Sequence, residues 1–359
     1  MNWRVDYHQA PLLLIWEVTR SCALACQHCR AAAIDYRDPN ELSTDEGRAL
    51  IDQVADMGTP LMVFTGGDPL QREDLEDLIR HAKSRKLTVG TIPATTPRLT
   101  RERIHSLKAA GVDQIAVSVD GPSTERHDAF RGVPGTFDKV LEAAAWVKEA
   151  GVALQANTVF GSWNVNEFDR MAALVSSLGV VFWEVFFLVP TGRGTGLQGC
   201  TAEQIEMLFD KLERLAETAP FVIKVTEGQH LRRFVTQREA AAGGADEVLK
   251  RARAKLMLAG RPVNSGHGFC FVDHLGNICP SGFLPLPCGN VRDQPQAIAA
   301  VYRNHAVFKE LRDFSLLKGK CGVCEFRDLC SGGSRARAYA LTGDYLAPEP
   351  FCAYEPPAR

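Results

Sequence analysis

The sequence contains neither a long apolar segment nor an excess of one charge. No hydrophobic run approaches the ~20 residues that a membrane-spanning helix needs, so we expect no membrane partner. Residues 1–6 carry no secretory hydrophobic region, which predicts a cytoplasmic protein. The net charge is −2, whereas a general nucleic-acid binder needs a basic surface. These absences exclude membrane proteins and argue against nucleic-acid partners.

Cysteine, by contrast, is abundant, with 11 residues in a chain of 359. In a reducing cytoplasm this content indicates metal or redox chemistry rather than a disulfide framework. Hydrophobic residues make up 45% of the chain, enough to bury a full core. The length predicts one large domain and a smaller one. We expect a core at 1–225, a linker or insert at 226–262 and a C-terminal domain at 263–359.

Short apolar runs alternate with amphipathic stretches from residue 10 to about 225, which predicts βα units around a parallel sheet. The predicted strands are Leu12–Glu17, Leu61–Thr65, Leu87–Ile92, Gln114–Val119, Ala153–Val159 and Trp183–Val189. The predicted helices are Thr44–Met57, Arg72–Arg85, Thr100–Ala110, Phe137–Ala150, Asn166–Leu178 and Thr201–Thr218. Six such units predict an α/β fold, an open partial (β/α)6 TIM barrel.

The region after the sixth unit is harder to assign. Phe221–Val225 is a candidate further strand. The segment from Arg232 to Arg261 is rich in Arg, Lys and Ala, with Gly243-Gly244 interrupting it. This composition favours a solvated helical pair, and the alternative is a basic lid over an acidic substrate.

A short loop after the first predicted strand spaces three thiols as Cys22-x3-Cys26-x2-Cys29. Three cysteines on a four-iron cluster leave one iron with an open position, which a substrate or cosubstrate can fill. A zinc site with His28 as fourth ligand is the alternative, although a histidine directly beside Cys29 is awkwardly spaced for a tetrahedron. Buried structural cysteines are the third possibility.

This loop, followed by Gly66-Gly67-Asp68-Pro69 after the second predicted strand, resembles the radical S-adenosylmethionine (SAM) enzymes. The resemblance implies that Cys22, Cys26 and Cys29 hold a catalytic 4Fe-4S cluster whose open iron is chelated by SAM. Reductive cleavage of the sulfonium would then give a 5′-deoxyadenosyl radical that abstracts hydrogen from substrate. A flavodoxin or ferredoxin is the expected reductant.

The same resemblance assigns residues to SAM itself. Gly66-Gly67-Asp68-Pro69 would bind the methionine amino group, because two glycines let the backbone approach a ligand closely. The family usually has Glu where this chain has Asp68, a departure that leaves the role of this carboxylate open. The other candidates lie at or after the ends of the fourth, fifth and sixth strands: Ser118, Asp120, Arg131, Asn157 and Pro190. In the plain structural alternative, these residues belong to turns and to the surface.

A second cysteine-rich block begins after about residue 262. Its pattern Cys321-x2-Cys324-x5-Cys330, followed by Cys352, resembles the four-thiolate set of the outer auxiliary cluster in the SPASM/twitch extension of this superfamily. A zinc ribbon is the alternative, because two-residue cysteine pairs occur in both. The resemblance therefore implies a cysteine-rich, SPASM-type C-terminal extension.

The inner auxiliary site departs from the family pattern. The family places a further cysteine four residues after the position of Cys330, and this chain has Ser334 there. Three possible ligands remain, namely Cys270, Cys279 and Cys288. They would hold a cluster with an open iron, a cluster with an unusual ligand, or nothing, and we expect a three-thiolate cluster. We therefore expect one or two auxiliary clusters, with Cys200 structural.

The region from Cys321 to Asp344 is similar to the tail of the siroheme-pathway haem synthases and related tetrapyrrole-modifying enzymes. The resemblance implies oxidative decarboxylation of tetrapyrrole propionates, with an auxiliary cluster accepting an electron. Four arginines are candidate propionate partners, of which the last two would alternatively brace the cluster loop: Arg232, Arg233, Arg335 and Arg337.

Two other functions stay open. One is a SPASM maturase that crosslinks or oxidises a short ribosomal peptide. The other is a non-catalytic metal-binding scaffold, which the Gly66-Gly67-Asp68-Pro69 motif disfavours.

Overall fold

The structure, a computed structural model, describes residues 3–244, 247–258 and 260–357. Within these residues nine strands form one sheet. They are β1 (Leu13–Glu17), β2 (Leu61–Thr65), β3 (Thr88–Thr91), β4 (Gln114–Ser118), β5 (Ala153–Phe160), β6 (Phe182–Phe187), β7 (Val222–Thr226), β8 (Phe269–Val272) and β9 (Ile278–Cys279). All six predicted strands are present, and the candidate strand at Phe221–Val225 is confirmed as β7.

The sheet runs in the order β7-β6-β5-β4-β3-β2-β1-β8-β9. Neighbouring strands from β7 to β8 are parallel, and only β8 and β9 pair antiparallel. The curled sheet confirms the predicted α/β partial barrel. Because parallel strands share one carboxyl edge, the loops that follow β1, β2, β4 and β5 converge there.

Helices connect the strands. They are α1 (Thr44–Asp56), α2 (Leu75–Ser84), α3 (Arg101–Ala110), α4 (Thr124–Arg131), α5 (Thr136–Glu149), α6 (Phe168–Ser177), α7 (Ala202–Thr218), α8 (Leu231–Ala241), α9 (Glu247–Lys255), α10 (Ala297–Asn304), α11 (Ala306–Arg312), α12 (Gly319–Val323), α13 (Arg327–Cys330) and α14 (Arg335–Thr342). Helix α1 begins with a capping box, in which Ser43 and Glu46 each bond the other's backbone N–H.

The strands turn one face to the helices and the other to the inside of the barrel. On β6, the side chains of Trp183, Val185 and Phe187 are buried in the main core, and Trp183 packs against Phe168 of α6. Phe186, between them, lines an internal cavity. This alternation follows from the two-residue period of a strand.

The cysteine-rich C-terminal region joins the same sheet. Strand β8 lies parallel beside β1, with Leu13 opposite Phe269 and Trp16 opposite Val272. The next strand, β9, ends at Cys279. The loop after β1 is therefore a neighbour of the segment that carries Cys270 and Cys279.

The basic segment forms the predicted helical pair, α8 and α9, on either side of Gly243-Gly244. Arg253 of α9 pairs with Glu239 of α8, and Arg232 donates to the carbonyl oxygens of Leu258 and Gly260. None of the helices in the described ranges has the length and apolarity to cross a membrane.

Candidate active site

The cysteine loop follows β1 directly, and its backbone N–H groups contact its own cysteine sulfurs. Cys22 and Cys26 are 8% and 7% exposed. The backbone N–H of Leu24 donates to Sγ of Cys22 at 3.3 Å, and that of Ala33 donates to Sγ of Cys29 at 3.5 Å. Burial raises the pKa of Cys22 to about 12, so a metal must displace a proton to bind this sulfur.

Arginines anchor this loop from both sides. Arg20 donates to the carbonyl oxygens of Ala31 and Ala32 at 2.8 and 3.1 Å. Arg193, in the loop after β6, donates to the carbonyl oxygens of Cys26 and Ala33 at 2.9 and 3.1 Å. These hydrogen bonds hold the backbone of the loop in place.

The loop that contains Gly66 and Gly67 packs directly on the cysteine loop. Gly67 N donates to Thr19 O at 2.8 Å. A Cβ on Gly66 would lie 2.6 Å from Thr19 O, and one on Gly67 would lie 2.4 Å from Ser21 O. Both positions therefore require glycine because another backbone approaches closely.

Asp68 has a structural role in this fold. Its buried carboxylate accepts hydrogen bonds from Leu70 N at 3.1 Å, Ala94 N at 3.3 Å and Thr96 Oγ1 at 2.8 Å. Both carboxylate oxygens therefore already accept hydrogen bonds that stabilise this loop. Burial raises the pKa of Asp68.

The predicted cluster and cofactor residues share one cavity of about 230 Å³. Its wall includes nine of them: Cys22, Cys26, Cys29, Gly66, Gly67, Ser118, Asp120, Arg131 and Asn157. Asp68, Pro69 and Pro190 lie outside the lining, although Leu188 and Val189 belong to it. The fold therefore brings together residues of β4 and β5 and of the loops that follow β1, β2 and β4.

Arg131 and Asp120 form a buried ion pair in this wall. A second guanidinium nitrogen of Arg131 donates to Sγ of Cys26 at 3.4 Å. Asp120 also accepts from Val159 N at 3.0 Å. Burial alone would raise the pKa of Asp120, but Arg131, the neighbouring His28 and His127 and the hydrogen bond from Val159 together hold the pKa below its usual value. The pair thus places the guanidinium of Arg131 beside the sulfur of Cys26.

Three further residues of the site lay outside the sequence prediction. Glu17 ends β1, is 3% exposed, and accepts from Nδ1 of His274 at 2.8 Å. Its other oxygen lies 2.8 Å from Nη1 of Arg30. A carboxylate closing an apolar strand, and an arginine directly after the last cysteine of the loop, were the signals available in the sequence.

The donors present fit a four-iron cluster. Three soft thiol ligands lie in one short loop, and such a cluster takes each cysteine on a different iron.

Comparison with known proteins agrees with this geometry. The profile of the Radical SAM superfamily matches residues 16–175. The AdoMet-dependent heme synthase of Nitratidesulfovibrio vulgaris is 40% identical over 96% of this chain and 92% of that protein. The protein of the same name from Methanosarcina barkeri is 39% identical over 97% of each chain. The chain belongs to the radical SAM superfamily.

The fold of this radical SAM protein is also similar to that of Streptococcus suis SuiB bound to its precursor peptide SuiA. The TM-score is 0.73 at 16% identity, and the match covers 96% of this chain and 76% of SuiB. At this identity the likeness concerns the fold, and it confirms the partial barrel. Membership of the superfamily implies a 4Fe-4S cluster and SAM as cofactors.

Four C-terminal cysteines of this radical SAM protein line a second, small cavity of about 20 Å³, and they are Cys321, Cys324, Cys330 and Cys352. Burial raises the pKa of Cys330 to about 12. His230 and Arg233 complete part of the wall. The fold thus gathers the four thiols predicted for the outer auxiliary site.

The other three cysteines lie around β8 and β9. Cys270 is fully buried and Cys279 is 2% exposed, while Cys288 packs against the edge of the main core. Burial raises the pKa of Cys279, and the neighbouring thiols of Cys270 and Cys288 raise it further.

Ser334 has its own structural task. Its hydroxyl donates to Glu227 and accepts from Arg337 N at 2.9 Å, which caps α14. The residue is fully buried. The position where the family has a cysteine is therefore committed to hydrogen bonds within the protein.

The four arginines expected to meet propionates all have partners within the protein. Arg335 donates to the carbonyl oxygens of Tyr345 and Ala347, and Arg337 pairs with Glu349 at 2.9 Å. Arg233 pairs with Glu206, and Arg232 binds the carbonyls described above. Buried guanidinium groups must find acceptors, which accounts for these contacts of Arg335 and Arg337.

Proposed function

We propose that this radical SAM protein oxidatively decarboxylates propionate side chains of a tetrapyrrole. Similarity to proteins named heme synthases over nearly the whole chain supports this substrate class. The observation that carries the proposal is the composition of the central cavity. The three cysteines share it with Phe186, Phe271 and Phe283 and with the guanidinium of Arg30. Aromatic walls suit a flat apolar ring, and a guanidinium suits a carboxylate.

The protein's own groups prepare this chemistry. Gly66 and Gly67, packed on the cysteine loop and lining the cavity, would present their backbone to the methionyl end of SAM, while Ser118 and Asn157, adjacent in the register of β4 and β5, would offer polar groups to the ribose. Arg131 places its positive charge at Cys26. When bound, the cluster and SAM together supply a 5′-deoxyadenosyl radical.

The reaction on each side chain balances as follows. The propionate loses one hydrogen atom, which the radical takes up to give 5′-deoxyadenosine. It also loses carbon dioxide and one electron, and a vinyl group remains. An auxiliary iron–sulfur cluster is the proposed electron acceptor.

We assign this acceptor role to the C-terminal cysteines. Cys321, Cys324, Cys330 and Cys352 would hold the outer cluster, and their common cavity supports the assignment. The thiols around β8 and β9 would hold a three-thiolate inner cluster. A flavodoxin or ferredoxin of the cytoplasm would reduce the catalytic cluster.

Anaerobic turnover tests this function. The reconstituted protein is incubated with SAM, dithionite and iron-coproporphyrin, a tetrapyrrole with propionate side chains. We expect 5′-deoxyadenosine together with porphyrin products that have lost the mass of formic acid per side chain, and neither with Cys26→Ala.

Two outcomes would contradict the proposal. Formation of 5′-deoxyadenosine with unchanged porphyrin would exclude the substrate class and favour a peptide maturase. A colourless, zinc-loaded protein that forms no 5′-deoxyadenosine would instead favour the scaffold.

A further inference from the structure

Arg30 occupies an unusual position in the central cavity. It follows Cys29 directly, and its side chain is 19% exposed. The guanidinium carbon lies 4.5 Å from the centroid of the Phe271 ring. A Cβ on Gly282 would lie 2.9 Å from Nε of Arg30. The side chain is thus held between an aromatic face and a glycine, within the cavity wall.

The hydrogen-bond donors of Arg30 are largely unused by the protein. A guanidinium has five N–H donors, and among the described residues Glu17 is the only ion-pair partner that the structure gives Arg30. The fully buried Arg72, by contrast, uses its donors within the protein. That side chain donates to two carbonyl oxygens and both oxygens of Asp74. Arg30 therefore has donors available for a ligand in the cavity.

The charge of Arg30 is only partly compensated. Glu17 is shared, since His274 donates to one of its oxygens while Arg30 faces the other. Burial would lower the pKa of His274, but its hydrogen bond to Glu17 and the charges of Glu17, Asp273 and Glu41 raise it above the ordinary value. Arg30 and His274 thus share the carboxylate of Glu17, so Glu17 compensates the charge of Arg30 only in part.

We propose that Arg30 binds a carboxylate of the substrate and positions the substrate ring against Phe271, beside the cysteine loop. This assignment rests on the proposed function and deepens it. Glu17 and His274 are the positioning residues, because they hold the guanidinium without using up its donors.

The bound carboxylate is one that the product retains. Decarboxylation removes a negative charge, and a guanidinium stabilises that charge in the starting state. An arginine on the reacting carboxylate would therefore oppose the reaction. On a neighbouring carboxylate of the same molecule, it fixes the ring and leaves the reacting side chain unpaired.

Equilibrium binding to the anaerobic reconstituted protein tests the assignment. The probes are iron-coproporphyrin as substrate and haem as a decarboxylated product, each followed by its Soret absorption. We expect Arg30→Gln to weaken binding of both about 10- to 100-fold, the usual effect of losing a charge-assisted hydrogen-bond pair. Arg30→Lys should lose less, because lysine keeps the charge but not the planar fork.

Arg48→Gln is the matched control, since Arg48 lies on α1 and pairs only at the surface with Asp45. It should bind both porphyrins as the unmodified protein does. Iron per chain is measured in each variant. If Arg30→Gln loses iron, the binding of Arg30→Lys is compared with that of the unmodified protein instead.

Three results would overturn the assignment. Unchanged binding in Arg30→Gln would show that Arg30 holds no carboxylate. Weaker binding of the substrate alone would place Arg30 on the reacting carboxylate. If the unmodified protein bound neither porphyrin, that result would contradict both the proposed function and this assignment.

Discussion

The imidazole of His28 lies face to face with the ring of Phe130, with centroids 4.7 Å apart and 9° between the planes. Phe130 stacks in turn on Trp163, at 5.0 Å and 23°. Three aromatic rings therefore connect the cysteine loop to the loop after β5. Burial lowers the pKa of His28 to about 4, so the ring is neutral at physiological pH.

His28→Phe should retain iron, because a phenyl ring preserves the stack. His28→Ala should lose most of it, since the loop then loses its packing partner. Iron per chain after anaerobic reconstitution is the measurement. Loss of metal in the phenylalanine variant would instead indicate that the imidazole is a ligand.

Gly67→Ala should abolish cluster assembly, because its new methyl group would lie 2.4 Å from the carbonyl oxygen of Ser21. Gly196→Ala is the matched control, since a Cβ there meets nothing within 4 Å. The visible absorption of the cluster and iron content distinguish them. A fully loaded Gly67→Ala protein would show that the two loops move apart easily.

Cys330→Ala should lower iron by about four atoms per chain, the content of one cubane cluster, while the catalytic cluster stays in place. Cys200→Ala serves as the control, because Cys200 is a thiol buried in the main core. Equal iron in both variants would exclude a cluster at the second cavity.

Asp120→Asn should destabilise the protein by about 3–5 kcal/mol, because it leaves the buried guanidinium of Arg131 without a counter-charge. Asp169→Asn breaks an ion pair to Lys211 in which Asp169 is 76% exposed, and should cost less than about 1 kcal/mol. Denaturant unfolding of both variants measures the difference. A similar, small loss in both would show that Arg131 finds another partner.

The sequence predicted the local elements well because each depends on nearby residues. The hydrophobic period located the strands, and the helix predicted at Thr44–Met57 matches α1. The helix expected at Arg72–Arg85 begins later, at Leu75. Pro69–Gln71 form a 3-10 turn, and Arg72 is drawn into contacts with Val18 and Leu42.

The relationships that the sequence could not reveal join distant residues. Glu17 and His274 are 257 positions apart, and no periodicity links them. The same holds for the arginines assigned to propionates. Composition showed that they were available cations, but only the fold shows that Arg337 is enclosed beside Glu349.

The pairing of β1 with β8 also bears on electron transfer. One of these strands leads into the cysteine loop and the other carries Cys270. The backbone hydrogen bonds between the two strands fix the distance between these two regions. Any tunnelling distance between metals held there is therefore set by the sheet and cannot vary as it would across a hinge.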